Sequence, residues 1–155
     1  MRFQVVPAAY VFLRRSVDGV DQLLLQLREG TGYMDGYWAA AAAGHVEAGE
    51  SVLDAAVREA AEELGIDIDR DDLVPLCAMH RTLAPHGPID ERVDFFFECR
   101  RWTGKPCLQE ADKSADLRWF DLEDLPDPVV PHELHVMTAL RDGTLPPIVT
   151  HGFDG

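Results

Sequence analysis

Three glutamates have the type and spacing to do chemistry. Glu59, Glu62 and Glu63 recur at i, i+3 and i+4, so on a helix of 3.6 residues per turn they share one face. Like charges at this spacing destabilise a helix, and a single arginine, Arg58, does not neutralise three acids. Clustered carboxylate oxygens suit a hard cation such as Mg²⁺ or Mn²⁺. The triplet therefore indicates a metal site, the alternative being a solvated acidic face.

The helix that must carry these acids is predicted over residues 51–64. Ser51 and Asp54 form a start signal, and Gly65 supplies the C-terminal stop. An apolar stripe is expected to bury the helix against a sheet, and it consists of Leu53, Val57, Ala60 and Leu64. The three acids then lie on the face beside the stripe.

The remaining elements are mostly strands. Alternating or apolar runs predict strands over residues 5–15, 21–28, 73–83, 92–102 and 115–122, with a second helix over 131–141. Strands with interspersed helices in a chain of 155 residues indicate an α+β fold or a mixed-sheet sandwich. We predict one domain over residues 1–155, in which the Gly- and Pro-rich residues from about 143 form an irregular tail.

The charge balance limits the partners. The formal net charge is −14, from 28 acidic and 14 basic residues. Such a surface repels duplex nucleic acid and anionic membranes, so neither is expected as a partner. No apolar run approaches the roughly 20 residues that cross a bilayer.

The cellular compartment is predicted from the N-terminal residues and from the number and spacing of the cysteines. The apolar start, residues 1–15, is interpreted as a strand, because only Arg2 precedes it and Arg14 and Arg15 follow without a signal-peptide cleavage site. The three cysteines are odd in number and lack CxxC spacing, as is typical of reduced thiols. We therefore expect a cytoplasmic protein.

A longer pattern contains the three acids. It has seven fixed positions, with apolar residues at 60 and 66, and these are Gly44, Glu50, Arg58, Glu59, Glu62, Glu63 and Gly65. The pattern matches the signature of the Nudix hydrolases at every position. At about 7% usage per residue type, a chance match in a chain of this length is on the order of one in a million. The surrounding strand order extends the resemblance to nearly the whole chain.

The resemblance implies a fold and a chemistry. Nudix proteins share an α/β/α sandwich with a mixed β-sheet, and they typically hydrolyse a nucleoside diphosphate linked to another group with a divalent metal. Carried over residue by residue, the metal ligands would be Glu59, Glu62, Glu63 and the carbonyl of Gly44. Glu50 and Arg58 would hold these acids in orientation. Many members have a Leu-Pro-Gly-Gly run before the pattern, and the five alanines 39–43 replace it here, which leaves the conformation of this segment open.

The expected reaction is attack of water at phosphorus. A carboxylate must take the proton of that water, and Glu62 or Glu63 could do so. A glutamate outside the pattern is the alternative. The sequence does not choose among Glu91, Glu98 and Glu110.

Four further residues are candidates for substrate contacts: Arg28, His45, Arg81 and Lys113. In similar proteins a basic residue at the position of Arg28 reaches phosphate, and His45 would contact phosphate from beside the pattern. Arg81 is expected to line the cleft. Lys113 lies in a region that approaches the base in related hydrolases. For each, the alternative is a solvated or purely structural residue.

The substrate predicted from these features is a small or modified nucleoside triphosphate, and a homodimer is retained among the expected partners. Two other functions are weighed. One is a catalytically inactive nucleotide-sensing module, for which a degraded pattern would be typical. The other is an enzyme like isopentenyl-diphosphate isomerase, which resembles this chain at the segment "AAGH" but needs a reactive cysteine and a metal site built on histidines.

Overall fold

A mixed β-sheet between two helices organises the computed structural model, which describes residues 3–83, 91–110 and 112–153. The elements of these residues are β1 (Val6–Val17), β2 (Val20–Arg28), β3 (Trp38–Ala40), β4 (Ala42–His45), α1 (Val52–Leu64), β5 (Leu73–Arg81), β6 (Arg92–Cys99), β7 (Ser114–Asp121), α2 (Pro131–Asp142) and β8 (Ile148–His151). A short 3₁₀ turn, Arg70–Asp72, leads into β5.

The sheet runs in the order β3-β2-β1-β6-β5-β8, while β4 pairs with β1 and β7 pairs with β2. Strand β1 lies parallel to β6, and β5 lies parallel to β8. The other pairs are antiparallel. The predicted α+β fold with a mixed sheet is confirmed.

Alternation along β1 divides the core into two layers. Tyr10 and Phe12 point to one face, where they join Met137 of α2. Val11 and Leu13 point to the other face and join the buried residues of α1. Each helix therefore covers one face of the sheet, which is the α/β/α sandwich that the resemblance implied.

Helix α1 begins and ends where the sequence predicts. The Ser51 side chain accepts a hydrogen bond from the backbone N–H of Asp54 at 3.1 Å. Gly65 adopts a left-handed conformation with φ of 68°, and its N–H bonds to the carbonyl of Ala61. These two caps fix the length of the helix, and with it the position of its last acidic turn.

The buried face of α1 is made of methyl groups. Five alanines without exposed surface meet where the helix lies on the strand segment before Gly44: Ala41, Ala42, Ala55, Ala56 and Ala60. Leu64 of the predicted stripe is fully buried, but Leu53 and Val57 are only half buried. Small residues on both sides let the helix approach the sheet on its alanine face. The acidic side of the helix is thereby turned toward the sheet.

The prediction of an irregular tail is wrong for residues 148–151. These residues form β8, and Ile148 to His151 pair with Ala78 to Arg81 of β5. Ile148, Val149 and Thr150 are β-branched and favour a strand, and their backbone groups satisfy the outer edge of β5. Among the described residues, no helix has the length and apolar character needed to cross a membrane.

Candidate active site

A cleft of about 740 Å³ lies at the C-terminal end of β2, between α1 and the segment that precedes β7. Eight of the predicted site residues line it: Arg28, Gly44, His45, Arg58, Glu59, Glu62, Glu63 and Lys113. The two others, Glu50 and Arg81, do not line it. The fold thus brings together residues that are up to 85 positions apart in the sequence.

Arg58 is the centre of the hydrogen bonds on the acidic wall. Its Nε and Nη2 donate to the two carboxylate oxygens of Glu50 at 2.7 and 3.0 Å. Its Nη1 donates to Glu59 at 2.8 Å and to Glu62 at 3.1 Å, and Nη2 also reaches the carbonyl of His45 at 3.2 Å. The Arg58 bond lowers the pKa of Glu50 to about 2. A two-point ion pair of this kind fixes the guanidinium plane, and with it the acids that it contacts.

Glu63 is the most buried of the three acids. Its Oε2 accepts a hydrogen bond from the backbone N–H of Ala43 at 2.7 Å. Burial raises the pKa of Glu63 to about 8, and the charges of Glu59 and Glu110 act in the same direction. Burial also raises the pKa of Glu59. Two acids that resist ionisation face the same cleft, and a cation there would stabilise their charged forms.

The Glu59 carboxyl occupies the space in which a side chain at Gly44 would lie. A Cβ built on Gly44 would lie 2.2 Å from both Cδ and Oε1 of Glu59. Any side chain at this position must therefore displace the acid. The glycine of the pattern is explained by this contact rather than by an unusual backbone angle.

We expect Gly44→Ala to weaken binding of Mn²⁺ by about tenfold or more while the protein stays folded. The new methyl group displaces the Glu59 carboxyl, which is the end of a flexible side chain and can move without unfolding the helix. Calorimetric titration with Mn²⁺ measures the first effect, and a thermal melt measures the second. An unchanged Mn²⁺ affinity would contradict the assignment of Glu59 as a ligand.

The donor set fits a hard divalent cation, because three carboxylates and the carbonyl of Gly44 offer only oxygen. Within the described residues, no three acidic, histidine or cysteine side chains already converge on a metal position. The hydrogen bonds above explain this, since Arg58 holds Glu59 and Glu62 and the Ala43 N–H holds Glu63. Each of these bonds uses one carboxylate oxygen, so ligation would require the other oxygens to converge on one position. Their role as ligands stays a prediction.

Basic residues also line the cleft. Arg28 donates to the carbonyl of Tyr33 at 2.9 Å and to the hydroxyl of Thr31 at 3.1 Å, which holds its guanidinium beside the cleft. Lys113 is exposed and pairs with Glu110 at 3.3 Å. Arg28 and Lys113 thus line the same cleft as the acids of α1, as an anionic substrate bridged by metal would require.

His45, the last residue of β4, lines the cleft. Its Nε2 is 3.1 Å from Nη1 of Arg92. Because a guanidinium only donates, this nitrogen accepts and carries no proton. Burial and the nearby charge of Arg92 lower the pKa of His45. A direct contact between His45 and phosphate stays a prediction.

The structure separates the three candidate bases outside the pattern. Glu110 lines the cleft, whereas neither Glu91 nor Glu98 does so. Glu91 contacts His80 at 3.3 Å, and Glu98 pairs with Arg14 at 2.9 Å. Glu110 is thus the candidate that remains beside the acids of α1.

Arg81 does not line the main cleft, contrary to the prediction. It is 8% exposed and forms an ion pair with the fully buried Asp94. It lines a second cavity of about 190 Å³, which shares Arg28, Gly44 and Glu63 with the cleft. The reason is strand alternation, because Arg81 points from β5 into the layer beneath α2.

The sequence analysis did not predict a cluster of buried polar side chains around this second cavity. It comprises Tyr10, Asp94, His132 and Glu133, each of which is at most 8% exposed. Two signals could have found it. Asp94 interrupts the apolar run of β6, and Glu133 follows the proline that starts α2 and lies in an otherwise apolar helix face.

Comparison with known proteins agrees with this geometry. The NUDIX domain profile matches residues 5–140. Because this profile covers most of the chain, the chain belongs to the NUDIX family. A MutT NUDIX hydrolase from Burkholderia pseudomallei has a similar structure, with 29% identity, a TM-score of 0.75, and coverage of 87% of this chain and 97% of that one.

Two further comparisons extend this result. The ORF135 protein of E. coli shares the fold at 23% identity, with a TM-score of 0.65 and coverage of 91% of this chain and 94% of that one. The isopentenyl-diphosphate Delta-isomerase of Shigella boydii is 30% identical over 90 residues, which is 58% of this chain and 48% of that protein. The chain therefore matches about half the length of this curated relative.

Proposed function

We propose that this protein is a metal-dependent pyrophosphohydrolase that cleaves a nucleoside diphosphate derivative, with a small or modified nucleoside triphosphate as its substrate. The observation that carries the proposal is that acids and cations from different elements line one cleft. Glu59, Glu62 and Glu63 line it from α1, while Arg28 lines it from the end of β2 and Lys113 from the residue before β7. A polyphosphate is the ligand class that needs both basic groups and an acid-held cation.

The chemistry follows from the chain's own groups. A divalent ion bound by the three acids would neutralise the phosphates and lower the pKa of an attacking water. Arg58 keeps the acids in one orientation through its bonds to Glu50 and Glu59. Glu110, or one of the acids of α1, accepts the proton of the water. Arg28 and Lys113 hold the phosphates against that water.

The test is a screen of nucleoside triphosphates, diphosphates and nucleotide sugars, with release of phosphate or pyrophosphate as the readout. We expect turnover with Mg²⁺ or Mn²⁺ and none in excess EDTA. The proposed reaction needs a divalent ion held by the acids of the cleft, and EDTA removes that ion. Turnover in ¹⁸O-labelled water is expected to place the label in a product phosphate. Full activity in EDTA, or an unlabelled product, would overturn the proposal.

The match to isopentenyl-diphosphate isomerase makes an isomerase the second candidate. Such enzymes need a reactive cysteine, and all three cysteines lie in the described part of the chain. Cys77 and Cys99 are buried, and burial raises the pKa of Cys77 to about 11. Cys107 is exposed, and like the other two it does not line the cleft. Incubation of isopentenyl diphosphate with the protein and Mg²⁺ would separate the two functions, and we expect no isomerisation.

A further inference from the structure

Arg28, which lines the cleft from the end of β2, lies at the base of the loop that follows it. Its backbone N–H donates to the carbonyl of Tyr37 at 2.9 Å, and its own carbonyl accepts from the N–H of Gly36 at 2.7 Å. Residues 29–36 therefore form a closed loop. The Arg28 side chain folds back over this loop and bonds to it. The conformation of the loop thus decides where the guanidinium lies.

Two residues of the loop hold the guanidinium. Its Nε donates to the carbonyl of Tyr33 at 2.9 Å, and its Nη2 donates to Oγ1 of Thr31 at 3.1 Å. The ring of Tyr33 lies 5.4 Å from the guanidinium carbon, which is within the range of a cation–π contact. These two bonds use two of the five N–H groups of a guanidinium, so Arg28 keeps further donors for a phosphate.

The Thr31 hydroxyl can accept from Arg28 only in a suitable orientation. Its oxygen lies 3.1 Å from Nη2 of Arg28 and 3.1 Å from the backbone nitrogen of Tyr33, and both of these groups donate. They occupy its two lone pairs, so its single proton must point to an acceptor. Two acceptors lie within reach, the carbonyl of Tyr33 at 2.9 Å and Oδ1 of Asp35 at 2.7 Å. The shorter distance and the negative charge favour Asp35.

Asp35 also closes the loop. Its Oδ1 accepts from the backbone N–H of Thr31 at 3.1 Å, and its Oδ2 accepts from that of Gly32 at 3.2 Å. The hydrogen bond from the Thr31 hydroxyl, and then the one from the Thr31 backbone, lower the pKa of Asp35. Asp35 is exposed and is not among the residues that line the cleft. Its charge therefore acts on Arg28 through Thr31.

The same loop is joined to the segment that carries the second cation. The backbone N–H of Glu29 donates to the carbonyl of Lys113 at 3.1 Å. A Cβ built on Gly30 would lie 2.5 Å from the carbonyl oxygen of Asp112, so the two backbones are in direct contact there. One hydrogen-bonded loop thus connects Arg28 and Lys113, and its closure sets the spacing between them.

We propose that Asp35 is a positioning residue for phosphate binding, which orients the hydroxyl of Thr31 so that this hydroxyl holds the guanidinium of Arg28 in the cleft. The inference rests on the proposed function, which places the phosphates at Arg28. An acid that does not contact the anionic substrate can strengthen its binding by preorganisation. Without Asp35, the Arg28 side chain must be ordered when the substrate binds, and ordering one long side chain lowers affinity by about 2- to 10-fold.

Calorimetric titration with methylenediphosphonate in Mg²⁺ tests the inference without turnover, because its P–C–P bridge is not hydrolysed. We expect Asp35→Ala to weaken binding of this probe by about 2- to 10-fold. Thr31→Val removes the hydroxyl and should also weaken binding, whereas Thr31→Ser keeps the hydroxyl and should bind as the wild type does. Because Thr31 and Asp35 act in series, the double variant Thr31→Val/Asp35→Ala should bind no more weakly than Asp35→Ala.

Three measurements separate positioning from a general loss of structure. The Mn²⁺ affinity of Asp35→Ala, without the phosphonate, should equal that of the wild type, because the acids of α1 do not contact the loop. With any nucleotide that the protein hydrolyses, Asp35→Ala should raise KM and leave kcat nearly unchanged. Asp124→Ala removes an exposed acid from a turn outside both cavities and is the matched control, with unchanged binding of the probe.

Four results would overturn the inference. They are no binding of methylenediphosphonate by the wild type, wild-type affinity in Asp35→Ala, additive losses in the double variant, and an equal loss of Mn²⁺ affinity in Asp35→Ala. Failure of the proposed function looks different, since binding of the probe would depend on Asp35 while no nucleotide released phosphate or pyrophosphate in Mg²⁺. Hydrolysis of a nucleotide with the same KM in Asp35→Ala and wild type would overturn the inference and leave the proposed function standing.

Discussion

Glu63→Gln is expected to lower kcat by more than about 100-fold and, in the metal-free protein at pH 9, to raise the melting temperature. Loss of activity follows from removal of a ligand charge, because changes in groups that merely support metal ligands already cost 10–100-fold. The amide keeps an oxygen for the Ala43 N–H, which Glu63 binds at 2.7 Å. The local structure of α1 is therefore retained.

The gain in stability has a defined pH dependence. Burial raises the pKa of Glu63 from its ordinary value of 4.5 to about 8 in the folded protein. Between these values the folded state holds a proton that the unfolded state has released, so the free energy of unfolding falls as pH rises. The slope is at most about 1.4 kcal/mol per pH unit. Glutamine does not titrate, so the advantage of the variant is absent below pH 4.5 and is complete above pH 8.

Thermal melts of both proteins in EDTA at pH 5 and pH 9 measure this difference. A difference of about 1 kcal/mol corresponds to about 2–4 °C in a chain of this size. Mg²⁺ at a hundredfold excess over its dissociation constant should stabilise the wild type by roughly 2.7 kcal/mol and the variant by less. Glu62→Gln is the control for stability, because that side chain is 54% exposed. A variant that melts below the wild type in EDTA at pH 9 would favour the solvated-face interpretation.

Arg58→Ala is expected to reduce kcat by about 10–100-fold with little loss of secondary structure. Arg58 holds Glu50 through two parallel bonds and reaches Glu59 and Glu62 with a third nitrogen. Its removal leaves the acids without a fixed orientation and with more mutual repulsion. Arg58→Lys should recover little, because an ammonium group cannot form the two-point contact with Glu50.

Steady-state rates at saturating Mg²⁺ and circular dichroism spectra test this role. Arg70→Ala is the matched control. Arg70, in the 3₁₀ turn after α1, forms an exposed ion pair at 3.2 Å with Asp54, which lies on α1 as Arg58 does. Exposed pairs contribute about 0–1 kcal/mol, so this variant should keep its activity and nearly all its stability. Turnover of Arg58→Ala at the wild-type rate would show that the acids need no such support.

The parts of the fold that the sequence predicts are those with local signals. Helix α1 has a capping serine, a terminal glycine and an amphipathic period, all of which act within a few residues. The turn between β1 and β2 likewise follows from Asp18 and Gly19, which adopt φ of 52° and 80°. The candidate metal ligands were found for the same reason, since all three lie on one helical face.

The parts that escaped prediction depend on distant contacts. Alanine has low strand propensity, so the run from Ala39 to Ala43 gives no local signal for β3 and β4, which form by pairing with β2 and β1. Strand β8 exists because β5 offers a free edge. The second cavity joins β1, β5, β6 and α2, and no spacing in the sequence relates Tyr10 to His132 before the chain is folded.

The contact of methyl groups between α1 and the strand segment also affects how this protein can change over evolutionary time. Ala41, Ala42, Ala55, Ala56 and Ala60 have no exposed surface. A larger side chain at any of them must push the helix outward, and glycine adds backbone freedom without filling space. Few substitutions are therefore tolerated in this alanine contact. The contact keeps the acidic face of α1 at a constant distance from the sheet. Partly exposed residues of the cleft outside α1 are not part of this packing, so new substrate preferences are more accessible through substitutions there.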